Sequence, residues 1–337
     1  MKPNANFFMK LRTKYLLSLF FVFAITWSSV KFFTFNAGQK DRDQQDRLFK
    51  KQINDGQINL NELFHFGECL IKEAGQKIVQ LRKMSNFKVE HKEKDNSVVT
   101  KADFESHTIL TETLKNKFPT LKINSEENDQ KNSKFDLKFY MSKCDNYKAK
   151  SDDLIKSTLE INVWIDPLDA TQEYSQNLVE YVTVMFCIAQ IGIPKAGIIH
   201  NPFTNRTVSS FFEKPKKDGL TKPVNQKKVI VSRSHAEKVN EIIGDKIKNA
   251  IIIPAGGSGY KTLSLLDNKS DLYLHSSKIY KWDLCAPNAI LNNMGGKLTQ
   301  RNGKPVDYSN AEEKTRSVDG IIASLHFYDY FFEIFKL

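Results

Sequence analysis

The chain has 337 residues, 40% of them hydrophobic and 26% charged, which excludes a disordered polymer and allows one large core or two ordinary ones. Fifteen Gly and ten Pro exclude a collagen-like sequence, and four Cys are too few for a disulfide-built mini-domain. The net charge of +11 is uneven: residues 1–60 carry 10 basic and 4 acidic side chains, the remainder 40 and 35, so it does not argue for a nucleic-acid polymer as partner.

Lys2, Lys10, Arg12 and Lys14 precede an uncharged run from Tyr15 to Val30, which Phe32, Phe33 and Phe35 extend. This reads as a transmembrane signal anchor over 15–35, with a cytosolic tail over 1–14. A cleaved signal peptide is the competing reading, but there is no convincing small-x-small cleavage site after Thr26-Trp27-Ser28-Ser29. The body is then lumenal, on a single-pass type II anchor. The sequons Asn205-Arg206-Thr207 and Asn268-Lys269-Ser270 are glycosylation candidates on that side. Residues 36–59 are polar and read as a stem. Cys69, Cys144, Cys187 and Cys285 face an oxidising compartment, but their spacing gives neither a metal knuckle nor a pairing. Cys187, inside Val184–Ile188, reads as a core residue.

The body spans 60–337. Leu63, Phe66, Leu70, Ala74, Ile78 and Leu81 recur at helical steps, and a second helix is predicted over 103–117. A short strand over 121–123 follows, then a polar segment, 128–158, that reads as an irregular surface insertion. Strands are predicted at 161–165, 182–191, 196–200 and 208–212, and the lysine-rich 213–228 as an exposed loop. Strand and helix then alternate: strand 229–231, helix from 236, strand 250–253, helix from 259, strand 272–274, helix 282–294, strand 321–325 and a C-terminal helix. The order suggests an α+β half over 60–215 joined to an α/β half over 225–337.

Four acidic clusters carry the chemical signal: Thr100-Lys101-Ala102-Asp103, Ser125-Glu126-Glu127, Asp166-Pro167-Leu168-Asp169-Ala170-Thr171 and Trp282-Asp283. Each alone has a plain structural reading. Asp103 and Asp283 suit helix caps, and Asp-Pro-Leu-Asp suits a turn. Carboxylates on strand ends and helix starts can converge, and converging carboxylates repel unless a hard cation such as Mg²⁺ neutralises them. The seven His residues show no zinc-hydrolase spacing.

In this order the four clusters resemble the inositol monophosphatase superfamily of lithium-sensitive, Mg²⁺-dependent phosphatases. The resemblance implies a layered αβαβα sandwich. Trp164–Tyr174, Ser232-Arg233-Ser234-His235 and Lys281–Ala286 are similar to its bisphosphate nucleotidase branch, which removes the 3′-phosphate of adenosine 3′,5′-bisphosphate. Pro254–Lys261 looks most like the Golgi-resident form. Carried over, Glu126, Asp166, the Leu168 carbonyl, Asp169 and Asp283 would hold two or three Mg²⁺. Asp103 and Thr171 would activate the attacking water. Asp169, Ala170, Thr171, Ser232, His235, Gly257 and Lys261 would bind substrate. The implied partner is that nucleotide, the by-product of lumenal sulfotransferases, and the resemblance admits a homodimer. Two alternatives remain: an inositol phosphate phosphatase, and an inactive lumenal binding protein.

Overall fold

In the computed structural model the described residues are 56–84, 88–92, 97–128, 135–212, 227–235, 241–243, 246–310, 312 and 317–336. The expected tail, the anchor and all of the stem before Gly56 lie outside them, as do most of the lysine-rich loop and residues 129–134. Among the described residues no helix is long and apolar enough to cross a membrane. Gly56–Leu337 forms one compact unit.

Strand β1 (Gln57–Asn59) runs into helix α1 (Leu60–Arg82), so the last three residues of the expected stem are already folded. Asn59 ends the strand and caps the helix: its Oδ1 accepts from the amides of Asn61 and Glu62 at 3.0 and 3.2 Å. The stripe Leu63, Phe66, Leu70, Ala74, Ile78 and Leu81 is buried as its spacing requires. A hairpin not foreseen from sequence, β2 (Val89–His91) and β3 (Val98–Thr100), then leads into α2 (Lys101–Lys117).

Strand β4 (Lys122–Ser125) is followed by two elements inside the expected irregular insertion. Helix α3 (Leu137–Cys144) is joined to α1 by a Cys69–Cys144 disulfide, and β5 (Ile155–Ser157) pairs antiparallel with β1. Short amphipathic pieces of this kind gain their stability from the neighbours they are tied to, so their own composition hides them.

The first sheet continues with β6 (Ile161–Asp169), β7 (Thr183–Gln190), β8 (Ile193–Asn201) and β9 (Arg206–Phe211), with helix α4 (Thr171–Ser175) between β6 and β7. Its order is β4-β6-β7-β8-β9, with only β4 and β6 parallel. The second sheet is built from β10 (Lys228–Ser232), β11 (Ile251–Ala255), β12 (Leu272–Tyr280), β13 (Lys297–Gln300) and β14 (Ser317–Ser324), in the order β11-β10-β12-β14-β13. Helices α5 (Ser258–Leu266), α6 (Lys281–Asn293) and α7 (Tyr328–Phe335) accompany it.

Strand β7 explains the layering. Val184, Phe186 and Ile188 share a core with α1 and α2, while Met185, Cys187 and Ala189 share another with α6. Both faces are covered, so the strand reads as a continuous apolar run. Truncating Phe186 to Ala would cost about 3–5 kcal/mol. Helix α6 also meets Ile230, Tyr273 and Ile321 of the second sheet, whose far face packs on Phe331 and Phe335 of α7. The layers are therefore αβαβα, as the resemblance implies. Gly197 lets α6 lie close on β8, because a Cβ there would stand 2.6 Å from the Ala286 carbonyl oxygen. Cys187 is a core residue, as read from sequence, and is also bonded to Cys285 of α6.

Candidate active site

Asp103 is 1% exposed at the start of α2. Its Oδ2 accepts from the Thr100 amide at 2.8 Å and from the Thr100 hydroxyl at 2.6 Å, a reciprocal capping arrangement. Its Oδ1 accepts from the Thr171 hydroxyl at 2.8 Å. The same hydroxyl lies 3.0 Å from the Leu168 carbonyl, and one proton serves only one acceptor at a time. Burial, with a contribution from the Glu126 charge, pushes the Asp103 carboxyl up to about 7. The capping reading and the catalytic reading thus fall on one carboxylate, using different oxygens.

The Asp166–Asp169 segment is strand rather than the expected turn. β6 continues through it with a register shift against β7, and Pro167 sits in that irregularity, its carbonyl accepting from Ser106 Oγ at 2.6 Å. Ala170 follows with φ 71°, a left-handed turn that starts α4 and brings Thr171 to Asp103. Glu126 is fixed at the end of β4 by the hydrogen bond its backbone N–H donates to the Ile165 carbonyl at 3.2 Å. Asp283 caps α6 from within, accepting from the Tyr280 amide at 3.1 Å.

Asp166 and Asp283 are hydrogen-bonded to each other, and both carboxyls are raised well above the usual range by burial and then by Glu126 and Asp169. Lys92, after β2, pairs with Glu126 at 2.8 Å and Glu127 at 2.5 Å. Burial opposes its charge, but the two glutamates outweigh burial and raise its pKa. Nothing in the sequence around Lys92 marked it as part of this site.

Asp169 is committed differently. Its Oδ1 accepts from the Ser258 amide at 3.0 Å, and its Oδ2 from the Gly259 amide at 2.8 Å and Thr183 Oγ1 at 2.9 Å. The glycine-rich turn therefore admits a carboxylate to the N-terminus of α5, a favourable place for negative charge. Gly257 has φ 63°, and a Cβ there would stand 2.8 Å from Asp169 Oδ2. Lys261 on α5 is 4% exposed, lies 5.2 Å from the Tyr273 ring centroid and 3.4 Å from the Ala255 carbonyl, and is lowered to about 8 by burial.

Glu126, Asp166, Leu168, Asp169 and Asp283 line one cavity of about 520 Å³, and so do Ala170, Thr171, Gly257 and Lys261. Asp103 stands behind Thr171. Ser232 does not line this cavity: its hydroxyl is 3.1 Å from Ser234 Oγ. His235 closes a 3-10 turn with Arg233, and its side chain lies outside the described residues. Arg233, unassigned from sequence, pairs with the buried Glu173 at 3.0 Å. Asn205 and Asn268 are both exposed, in left-handed turn positions at φ 53° and 55°.

Among the described residues no three His, Cys, Asp or Glu side chains already enclose a point that would hold a metal ion. The donor chemistry nevertheless fits one. The set is all oxygen, and burial makes the charges of Asp166 and Asp283 unfavourable unless a cation is near.

The sequence profile of the Inositol monophosphatase family matches residues 59–328. The chain belongs to the inositol monophosphatase family. Its relatives include inositol monophosphatase 3 of Danio rerio, 38% identical over 80% of this chain and 82% of the relative. The Golgi-resident adenosine 3′,5′-bisphosphate 3′-phosphatase of Rattus norvegicus is 35% identical over 77% of each chain. CysQ from Bacteroides thetaiotaomicron, a solved bacterial family member, superposes with a TM-score of 0.57 at 19% identity, covering 79% of this chain and 97% of its own. Inositol monophosphate-bound SaIMPase-II gives 0.58 at 16% identity, covering 81% and 93%. Members of the inositol monophosphatase family are metal-dependent phosphatases, and this chain is a phosphoric monoester hydrolase of that kind.

Proposed function

We propose that the protein hydrolyses the 3′-phosphate of adenosine 3′,5′-bisphosphate to AMP and phosphate, with two or three Mg²⁺, in the Golgi lumen on a type II anchor. There it would remove the by-product of sulfotransferases. The observation that carries the substrate reading is Lys261: a buried ammonium lines the same cavity as the carboxylates. A ligand with one phosphate at the acidic wall and a second at Lys261 fits that division, and the volume suits a small molecule. Pairing of all four cysteines, exposure of both sequon asparagines and the name of the rat relative support the lumenal Golgi reading.

Glu126, Asp166, the Leu168 carbonyl, Asp169 and Asp283 would hold the metal, with Asp169 sharing oxygens already used at α5. When bound, the metal supplies charge neutralisation at the phosphoryl group and its leaving oxygen. The chain's own residues move the proton. Thr171 Oγ1 accepts it from the attacking water and passes its own to Asp103 Oδ1, 2.8 Å away. Thr100 holds Asp103 in place through two bonds, and an affinity near 7 lets that carboxylate take and return a proton at neutral pH. Water oxygen bonds to phosphorus as the bond to the 3′-oxygen breaks.

The position of Ser232 outside the cavity favours a second reading, an inositol phosphate as substrate. Phosphate release from adenosine bisphosphates and inositol phosphates separates the two. Lys261→Ala should lower the specificity constant for adenosine 3′,5′-bisphosphate about ten- to a hundredfold and leave a small phosphomonoester little changed. Preference of the unmodified protein for an inositol phosphate would overturn the nucleotide reading.

A further inference from the structure

Two hydroxyls on the second wall of the cavity have no part in the proton path. Tyr273 is fully buried on β12, the central strand of the second sheet, and its Oη makes no hydrogen bond. Ser258 is buried at the start of α5, and its Oγ makes none either, although its amide donates to Asp169. Both residues line the cavity together with Lys261. A buried hydroxyl left unbonded is destabilising, and Phe or Ala would fill the same positions without that cost. The Asp169 carboxylate already accepts from the Ser258 and Gly259 amides and from Thr183 Oγ1, but from neither of these side chains.

The charge beside them sets what would satisfy them. Lys261 is buried and makes no ion pair among the described residues; its one hydrogen bond runs to the Ala255 carbonyl at 3.4 Å. An ammonium has three N–H donors, so most of its capacity is open. Asp169, Glu173 and Asp283 act on it only through space. Its Nζ lies 5.2 Å from the Tyr273 ring centroid, which fixes the charge relative to the phenol. A water molecule could bridge the two hydroxyls, but it brings no charge, and a buried ammonium is stable only near an anion. A compact anion with several acceptor oxygens meets every requirement. The tetrahedral oxygens of a phosphomonoester can accept from an ammonium, a phenol and a serine hydroxyl at once.

We propose that Tyr273 and Ser258 are specificity-determining residues whose hydroxyls, with the Lys261 ammonium, form a three-donor subsite for the second phosphate of the substrate. The proposal rests on the reading of Lys261 as the contact for that phosphate. It makes preference for a bisphosphate a property of two neutral donors as well as of one charge. Because the Ser258 amide is bonded to Asp169, the subsite is tied directly to the acidic wall, and a ligand small enough for the cavity can reach both.

The test uses the full chain with Mg²⁺. Tyr273→Phe removes one oxygen and keeps the ring beside Lys261; Ser258→Ala removes the other and keeps the amide that Asp169 accepts from. Specificity constants are measured for adenosine 3′,5′-bisphosphate and for adenosine 3′-phosphate, which lacks the second phosphate. In each variant the ratio of the two should fall about tenfold, through KM for the bisphosphate rather than kcat, with the thermal midpoint kept or raised. An unchanged ratio overturns the proposal, because water alone then fills the subsite. So does an equal loss on both substrates with a lowered midpoint, because the hydroxyls then support the fold. The same comparison between an inositol bisphosphate and an inositol monophosphate separates this proposal from the nucleotide reading. If the unmodified protein favours the inositol bisphosphate above all and Tyr273→Phe erases that preference, the subsite stands and the nucleotide falls. If it favours the adenosine bisphosphate and Tyr273→Phe leaves the ratio unmoved, the nucleotide stands and the subsite falls.

Discussion

The first sheet presents Asp166 and Asp169 from a strand buried on both faces, whereas the second presents Lys261 from a helix that begins at a glycine turn. On the first wall, rigidity comes from apolar burial, which leaves Asp166 with unfavourable charge and a protonated tendency. On the second, rigidity comes from polar bonds: Asp169 occupies the first amides of α5 and so fixes Lys261 relative to the first sheet. One wall is therefore poised for a cation, and the carboxylate of the other is already satisfied. Asp283, on α6 between the sheets, belongs energetically with the first wall.

The difference can be broken most strongly at Asp166. Asp166→Asn should lower kcat on the order of 10²–10³-fold, yet leave the metal-free fold as stable or more so, because a buried charge is removed. Activity assays paired with thermal melts check both halves of that outcome. Asp169→Asn should behave oppositely in the melt, weakening the cap of α5 as well as activity.

Next in size is the proton path. Thr171→Ala should slow turnover of every phosphomonoester about 10²-fold, since its role does not depend on the leaving group. A loss confined to nucleotides would place Thr171 in substrate recognition.

The bond between Cys187 and Cys285 joins β7 to α6 two residues beyond Asp283. Replacing both cysteines by Ala should cost about 2–5 kcal/mol of stability. It should also raise the Mg²⁺ concentration needed for activity, because Asp283 loses its tie to the first sheet. The same change at Cys69 and Cys144 should lower stability without moving the metal requirement.

The smallest effect sharpens the contrast through pH. Asp103 and Glu127 are pushed up to about 7, and Asp166 and Asp283 are raised too. The folded, metal-free protein therefore binds more protons than the unfolded chain between about pH 4 and 7, and its stability falls as pH rises through that window. Thermal midpoints in chelator should show the fall, and Mg²⁺ should flatten it. An equal slope with and without metal would mean the acidic wall is not where the cation binds.

Much of this was legible in the sequence. The heptad-like stripe from Leu63 to Leu81 gave α1, and the apolar run before Asp166 gave a buried strand carrying acids at its end. Thr100 and Asp103 announced a helix start by their three-residue spacing. The insertion was misread because α3 and β5 are short amphipathic pieces in a mostly polar stretch, held by a disulfide and by pairing with β1 rather than by propensity. Ser232 illustrates the same limit from the other side: a motif matched in sequence, on a residue whose hydroxyl faces Ser234.

The sequence by itself determined the family, the acids and the order in which they occur, because strand ends and helix caps are local features with local signals. Only the tertiary structure decided which charges meet. Lys92 reaches Glu126 across 34 positions, Asp169 reaches Ser258 across 89, and Cys187 reaches Cys285 across 98. Those pairings depend on how two sheets stack about α6, and packing of that kind leaves no mark in the spacing of residues along the chain.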